Sequence, residues 1–255
     1  MFFNVLKSEF TKLRTTRAFW GNLIFFLLMT LGFNAFMFFM MAKFSEETQG
    51  IPVPPQSVAP GINMPGAMII AIMSVIVVTS EYTHKFITMT FQATPNRVVL
   101  ALAKLVLMML VGGLLAFLVQ LIGFPMAQLI LGKEMGADLG LGNSEVQGYL
   151  WKSAVYAMMF VLFAQGLAWI LRSAVAAIVI ILGWYMALEV MVLPMIYKVG
   201  EKIVPYAPFK NLSAFYYGES IEQVPWNEWG SLAYFGAWAL VFYVIGLVLL
   251  VRRDA

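Results

Sequence analysis

Six apolar runs, separated by polar segments, dominate the pattern of the sequence. We place them at residues 19–41, 64–80, 98–124, 149–171, 174–193 and 229–251. A helix of about 20 apolar residues crosses a hydrocarbon core of roughly 30 Å, and most of these runs reach that length. The pattern therefore predicts six membrane-spanning helices. The second run is the shortest, so its ends are the least well defined.

The composition agrees with a membrane protein and excludes several other classes. Of the 255 residues, 62% are hydrophobic and only 11% are charged, with a mean hydropathy of +0.85, so one soluble core could not hold the apolar side chains. The absence of cysteine excludes disulfides and thiolate metal sites. A net charge of +3 gives no reason to expect nucleic acid as a partner. The predicted fold class is an all-α integral membrane protein, with 1–255 as one membrane domain.

Two segments outside the apolar runs carry a pattern of their own. Residues 1–17 space apolar side chains by three and four positions, which predicts an amphipathic interface helix lying on the inner membrane surface. Its apolar face would consist of Phe3, Leu6, Phe10 and Leu13. Residues 194–228 interrupt aromatic stretches with Pro205, Pro208 and Pro225, which predicts short re-entrant helices that dip into the outer leaflet before the last span.

A short polar interruption at 81–94 separates the second and third runs. Ser80 is a suitable cap for a new helical turn, and Glu81 would complement the positive end of its dipole. Pro95 ends that helix because the residue before a proline avoids helical geometry. Thr94 then caps the next helix, with Pro95 at its first position. We predict a rigid loop that carries one short helix over 81–94.

The basic residues are concentrated on one side of the predicted membrane. If the N-terminus is inside, ten of the sixteen lysines and arginines are cytoplasmic. They are Lys7, Lys12, Arg14, Arg17, Lys85, Arg97, Lys104, Arg172, Arg252 and Arg253. Because such a bias in short loops sets orientation, we predict a multi-pass protein with both termini in the cytoplasm.

The loop between the second and third runs also resembles that of a known family, the bacterial ABC-2 type permeases. The resemblance is carried by Glu81-Tyr82, Thr94-Pro95-Asn96-Arg97 and Lys104. The sequence departs from the family pattern at Thr83 and at Lys85-Phe86. The six predicted spans extend the resemblance over nearly the whole chain. It implies the ABC-2, or type V exporter, fold, in which the 81–94 helix is a coupling helix that docks on an ATPase subunit.

The resemblance further implies the membrane subunit of an ATP-driven exporter in the bacterial cytoplasmic membrane. Two cytoplasmic ABC ATPase subunits would bind ATP and Mg²⁺, and a second permease, identical or different, would complete a dimer within the membrane lipid. The substrate would be amphiphilic or hydrophobic, as in the efflux of a drug, an antimicrobial peptide or a lipid-like molecule. The candidate ATPase-coupling residues are Glu81, Tyr82, His84, Lys85, Phe86, Phe91, Thr94, Pro95 and Arg97.

The chain has no motif for chemistry of its own. A phosphate loop of the Gly-x-x-x-x-Gly-Lys-Ser/Thr type is absent, so ATP hydrolysis would belong to a partner. His84 is the only histidine, which excludes multi-histidine metal sites, and no Gly-x-Ser-x-Gly nucleophile elbow occurs. We therefore predict a chain that is not an enzyme, with no catalytic residue, no metal and no cofactor of its own.

Polar residues inside the apolar runs leave two interpretations open. Asn34 lies in the first run and Glu189 in the fifth, where an unpaired carboxylate is costly. Each fits either a structural hydrogen bond to a neighbouring helix or a place on a substrate path. The candidate path residues are Phe33, Asn34, Met37, Trp184 and Glu189. Two other functions stay open: a proton-coupled transporter that titrates Glu189, and a membrane scaffold or sensor that transports nothing.

Overall fold

The fold is helical throughout the described residues. In the computed structural model these are 2–44, 51–94, 96–196 and 200–253, apart from the side chains of 60–64 and 201. The helices in chain order are α1 (Phe2–Thr15), α2 (Arg17–Phe44), α3 (Pro55–Thr83), α4 (Ile87–Ala93), α5 (Arg97–Met135), α6 (Ser144–Leu171), α7 (Ala174–Met195), α8 (Gly200–Ile203), α9 (Pro208–Tyr217) and α10 (Glu228–Arg252). Short 3₁₀ turns lie at Ala137–Leu139 and Val204–Tyr206, and Gly183–Val192 within α7 is π-helical. The predicted all-α class is confirmed.

Within the described residues, six helices are long and apolar enough to cross a membrane. They are Arg17–Phe44, Pro65–Thr83, Arg97–Met135, Ser144–Leu171, Ala174–Met195 and Glu228–Arg252. Successive spans run in opposite directions, so α1, residues 84–94, the turn at Arg172 and the C-terminal Arg253 lie at one end of the bundle. We call this the termini end. The number of spans agrees with the prediction.

The centre of the bundle is α6, which packs against α3, α5 and α10. Glycines allow close contact with α10: a Cβ on Gly166 would lie 2.7 Å from the backbone nitrogen of Tyr243, and one on Gly246 would lie 2.9 Å from the carbonyl oxygen of Gly166. By contrast, α2 buries one narrow stripe against α3 and α5. That stripe consists of Phe26, Thr30, Asn34 and Phe38.

The second, third and fourth spans differ from the prediction at their ends. α3 begins at Pro55 rather than at 64, because proline is well tolerated at the first helical position. α5 continues through Pro125 instead of ending at 124, and its kink lies at Gly132, whose φ is +82°. A proline is tolerated inside a membrane helix because neighbouring groups satisfy the freed carbonyl. α6 begins at Ser144 rather than at 149. The predicted turn at Arg172–Ser173 is observed.

The second span also extends further than predicted at its C-terminal end. α3 continues to Thr83, so Ser80 and Glu81 belong to its last turns and neither starts a new helix. No glycine or proline occurs between residues 66 and 95, so nothing in the chain stops α3 at residue 80. His84 N donates to the carbonyl of Ser80, and the positive φ of Lys85, +59°, then reverses the chain.

The short helix of the loop is α4, Ile87–Ala93, rather than the predicted 81–94. The predicted cap of the third span is also wrong. Asn96, not Thr94, caps α5, because the Asn96 side chain accepts a hydrogen bond from the first turn of α5 at 3.1 Å. Pro95 lies outside the described residues. The loop therefore consists of a reversal at Lys85, one short helix and a separately capped start of the next span.

The segment before the last span contains two short helices, and the second of them, α9, is largely buried. α8, a 3₁₀ turn and α9 follow one another between residues 200 and 217. α9 packs against α6 and α10, and the Tyr216 hydroxyl donates to the carbonyl of Ala59 in α3 at 2.9 Å. Gln120 of α5 donates to that same hydroxyl. These bonds hold α9 inside the bundle, at the end opposite the termini. The entry of this segment into a membrane leaflet stays a prediction.

Candidate functional site

The N-terminal helix α1 docks on the bundle through a face that includes a charge. Its buried residues are Val5, Glu9 and Leu13, which lie one turn apart and pack against α5. Of the predicted apolar face, Leu13 is buried against the bundle, whereas Phe3 and Phe10 are 80% and 50% exposed. The contact of this face with a membrane surface stays a prediction. A carboxylate on the docked face requires a partner, since an isolated buried charge is very costly.

Glu9 has that partner in a four-residue charge cluster, formed with Lys12 of α1, Glu81 of α3 and Lys104 of α5. Lys104 Nζ lies 2.6 Å from Glu9 Oε2 and 2.9 Å from Glu81 Oε1. Lys12 Nζ lies 2.7 Å from Glu9 Oε1 and 3.0 Å from Glu81 Oε1. Each lysine therefore bridges both carboxylates, and the charge cluster as a whole is neutral. It joins three helices at the termini end.

The members of the charge cluster differ in burial. Lys104 and Glu9 are 1% and 4% exposed, whereas the Lys12 side chain is 45% exposed. Burial acts to raise the pKa of Glu9, but the charges and hydrogen bonds of the two lysines outweigh it and hold the pKa below its ordinary value. Burial acts to lower the pKa of Lys12, but Glu9 and Glu81 raise it above its ordinary value. Glu9 and Lys12 are therefore charged near neutral pH.

Sequence reasoning missed Glu9 and Lys12 as members of the site. The available signal was the position of Glu9, one turn from both Val5 and Leu13, on a stripe that is otherwise apolar. A charge inside such a stripe indicates a partner on the surface where the helix docks. Lys12 lies one turn further along, on the same side of α1.

Further contacts attach both ends of the loop between α3 and α5 to other spans. Arg97 Nη1 donates to two carbonyl groups at the end of α10, at 3.0 and 2.8 Å. The Arg97 guanidinium also lies 4.6 Å from the centre of the Phe91 ring. At the other end of the loop, the Arg172 guanidinium lies 5.1 Å from the centre of the Tyr82 ring. The loop is therefore anchored to α10 and to the α6–α7 turn.

Seven of the nine predicted coupling residues fall into two groups. Four hold the loop in place: Glu81, Tyr82, Phe91 and Arg97. Three are exposed and form what we call the loop tip: His84, Lys85 and Phe86. Thr94 is half-buried, and Pro95 lies outside the described residues. Met89 of α4, which the sequence prediction missed, belongs to the loop tip as well, since it is 66% exposed and Phe86 is 56% exposed.

A cavity of about 520 Å³ lies beside the charge cluster, between the α1–α2 turn, α3 and α4. All four members of the charge cluster line it, and so do His84 and Phe86 of the loop tip. The cavity therefore connects the buried charges with the exposed part of the loop.

The predicted substrate-path residues do not converge on one site. Asn34 is fully buried, and no group in the described residues forms a hydrogen bond with its side chain. Phe33 and Met37 lie on other faces of α2 and are 44% and 45% exposed. Trp184 and Glu189 lie on α7, and aromatic rings of α6 and α10 surround Trp184. Because α2 packs against α3 and α5, the two sets occupy different parts of the bundle.

Glu189 caps a helix that begins in another part of the chain. Its Oε1 accepts hydrogen bonds from Trp184 Nε1 at 2.8 Å and from Phe209 N at 3.2 Å, and its Oε2 accepts one from Lys210 N at 3.0 Å. The two backbone donors belong to the first turn of α9, whose N-cap residue Ala207 supplies no side-chain bond. First-turn amides have no acceptor within their helix, and a carboxylate complements the helix dipole there. This geometry favours the structural interpretation of Glu189.

We expect Glu189→Ala to lower the free energy of unfolding by about 1–3 kcal/mol, because it leaves buried donors without an acceptor. Thermal unfolding of the full chain in detergent measures the loss. Glu222→Ala is the matched control, because Glu222 is exposed, and it should change the free energy of unfolding by less than about 0.5 kcal/mol. Equal stabilities of the two variants would contradict the capping role.

In comparisons with known protein families and with curated proteins, nothing matches this sequence. The class of this protein therefore follows from its fold and its site alone. The chain is an all-α, multi-pass membrane protein with six candidate spans, and its termini end carries a buried charge cluster and an exposed loop tip. In the described residues, no group of three or more histidine or acidic side chains comes together as a metal site.

Proposed function

We propose that this chain is the membrane subunit of an ATP-driven exporter of the ABC-2 kind. In this proposal it acts in the bacterial cytoplasmic membrane as one of two permeases, identical or different. Two cytoplasmic ABC ATPase subunits bind the ATP and Mg²⁺. The exported substrate is amphiphilic or hydrophobic, which suits the large apolar side chains that α2 and α7 leave exposed.

The observation that carries this proposal is the short helix α4 on a loop anchored at both ends. Phe86 and Met89 expose apolar side chains beside Lys85, although the loop lies outside the apolar spans. Exposed apolar groups on an otherwise polar surface are typical of protein interaction sites. The loop tip is therefore suited to dock on a partner protein.

The anchors give the docked loop a route for mechanical force. A push on the loop tip reaches α1 through the charge cluster and reaches α10 through Arg97. Packed helices respond to such a force by tilting as rigid bodies. In the proposed mechanism, the tilt opens a path between the two permeases.

The alternative of a proton-coupled transporter has less support, because both carboxylate oxygens of Glu189 accept hydrogen bonds from neighbouring donors. Flux driven by a pH gradient in vesicles that contain this chain alone would favour that alternative. Flux that requires ATP and a copurified ATPase favours the exporter. A scaffold or sensor would show no flux with either energy source.

The proposal requires the loop tip to be cytoplasmic, and cysteine labelling tests this. The chain has no cysteine of its own, so a single introduced thiol gives a clean signal. We expect Lys85→Cys in intact cells to resist a membrane-impermeant maleimide and to react after permeabilisation. Glu222→Cys, also exposed and at the opposite end, should react in intact cells. Labelling of Lys85→Cys from outside would exclude a cytoplasmic ATPase at the loop tip.

A further inference from the structure

The cavity beside the charge cluster has apolar walls and one polar end. Its volume of about 520 Å³ falls within the usual range of ligand pockets, roughly 300–1,000 Å³. The walls are formed by apolar side chains of α1, α2 and α3: Leu13, Phe19, Met73, Ile76 and Val77. The charge cluster forms the polar end, and exposed residues of the α1–α2 turn and the loop tip surround the opening. Such a cavity suits a molecule with a polar head and an apolar tail.

The charge cluster leaves one hydrogen-bond acceptor and one donor unused. Glu81 Oε1 accepts from both lysines, whereas Glu81 Oε2 is buried and no donor in the described part of the chain reaches it. Lys12 donates to Glu9 and to Glu81, which uses two of the three N–H groups of its ammonium. Because Glu81 is only 9% exposed, an unbonded oxygen there is costly. The geometry indicates a ligand that supplies a donor to Glu81 and an acceptor to Lys12.

We propose that this cavity binds a membrane phospholipid with an ethanolamine headgroup. The Glu81 carboxylate rotates to present Oε2 to the cavity, where it accepts from the primary ammonium of the headgroup, and the phosphate, two carbons away, accepts the third N–H of Lys12. An acyl chain lies against the apolar walls. The proposal concerns a resident lipid, and it does not depend on which partner docks at the loop tip.

Charge and donor count favour this headgroup over the other common ones. The charge cluster holds two lysines and two carboxylates, so a zwitterionic head keeps it neutral, whereas an anionic head adds a net charge to a buried site. A choline head is also zwitterionic, but its quaternary nitrogen has no N–H to donate to Glu81. A charge-assisted hydrogen bond to a buried carboxylate corresponds to a difference in affinity of about tenfold or more.

Binding of defined lipids to the full chain tests the proposal. The purified chain is stripped of lipid in detergent and given phosphatidylethanolamine, phosphatidylcholine or phosphatidylglycerol with identical acyl chains. Native mass spectrometry measures the bound lipid, and tryptophan fluorescence follows thermal unfolding. We expect saturable binding of phosphatidylethanolamine, about tenfold tighter than that of the other two lipids, with a matching rise in Tm. Equal affinity for the three lipids would overturn the proposal.

Soluble phosphoethanolamine separates the headgroup from the lipid. It carries the same ammonium and phosphate but has no acyl chains to lie against the apolar walls. At concentrations that saturate the lipid site, we expect it to leave the Tm unchanged. The same rise in Tm with soluble phosphoethanolamine would overturn the assignment of a lipid.

A cavity-filling variant locates the lipid. Ile76→Trp fills the cavity from α3 without altering a charged residue, and it should abolish the preference for phosphatidylethanolamine over phosphatidylcholine. Ile69→Trp is the matched control, because Ile69 lies two turns away on α3, is half-buried like Ile76 and does not line the cavity. It should keep the preference. If Ile76→Trp does not fold, Asn22→Trp fills the cavity from α2 and takes its place. A preference that persists in a folded cavity-filling variant would overturn the proposal.

Discussion

Lys104→Met is expected to lower the free energy of unfolding by about 3–5 kcal/mol, the usual cost of removing one partner from a buried ion pair. Lys104 is 1% exposed and donates to both carboxylates of the charge cluster and to the carbonyl of Val77. Methionine fills a similar volume but leaves Glu9 and Glu81 with Lys12 as the one remaining cation of the cluster. Unfolding of the full chain in detergent, followed by tryptophan fluorescence, measures the loss.

Lys12→Met separates the effect of burial from that of charge. Lys12 contacts the same two carboxylates as Lys104, but its side chain is 45% exposed, so we expect a loss of at most about 1 kcal/mol. Adding Glu9→Gln to Lys104→Met should restore part of the stability, since the double variant removes a buried charge together with its partner. Equal losses in Lys104→Met and Lys12→Met would show that burial does not set the energy of the cluster.

The same cluster gives a pH dependence with a defined sign. Because the pKa of Glu9 lies below its ordinary value of 4.5, its contribution to stability is present above that pH and is lost as the pH falls through the native pKa. Because the pKa of Lys12 lies above its ordinary value of 10.5, its contribution is present below that pH and is lost as the pH rises through the native pKa. Lys104→Met should reduce the loss on the acid side, since Lys104 is the strongest of the groups that lower the pKa of Glu9.

The number of spans could be predicted from the sequence because the requirement to cross a membrane acts on each segment by itself. The turn at Arg172–Ser173 is predictable for a similar reason, since two polar residues interrupt an otherwise apolar stretch. The ends of α3 and α5 are not. Ser80 and Pro125 are local signals, and the helices continue past them because packing and capping elsewhere decide where a helix stops.

The candidate site was predictable only where a charge stood out in its own segment. Glu81 and Glu189 both lie where a carboxylate needs a partner, so the sequence indicates that partners exist without identifying them. The partners come from distant segments: Lys104 meets Glu9 across 95 positions, and Lys12 meets Glu81 across 69. Glu189 has one local partner, Trp184, and its other two are backbone amides of α9, which carry no sequence signal at all. Docking of whole helices, rather than local pattern, assembles these contacts.

Phe86→Asp combined with Met89→Asp is expected to weaken docking of the ATPase by about 30-fold, corresponding to roughly 2 kcal/mol for an apolar hot spot at the centre of an interface. Both side chains are exposed at the loop tip, so aspartate there leaves the fold intact and places two charges in an interface that must lose its water. The affinity of the purified chain for the copurified ATPase, and the ATP turnover that substrate stimulates, should fall together.

Two controls separate docking from other effects. Thr88→Asp adds a charge to an exposed position of the same short helix without removing an apolar side chain, and we expect it to retain most of the affinity. Phe91→Asp removes the ring that lies against Arg97, so it should lower thermal stability, which the loop-tip variant leaves unchanged. If the loop-tip variant binds the ATPase and couples ATP turnover as well as Thr88→Asp does, then α4 is not the docking element, and force from the partner must enter the bundle elsewhere.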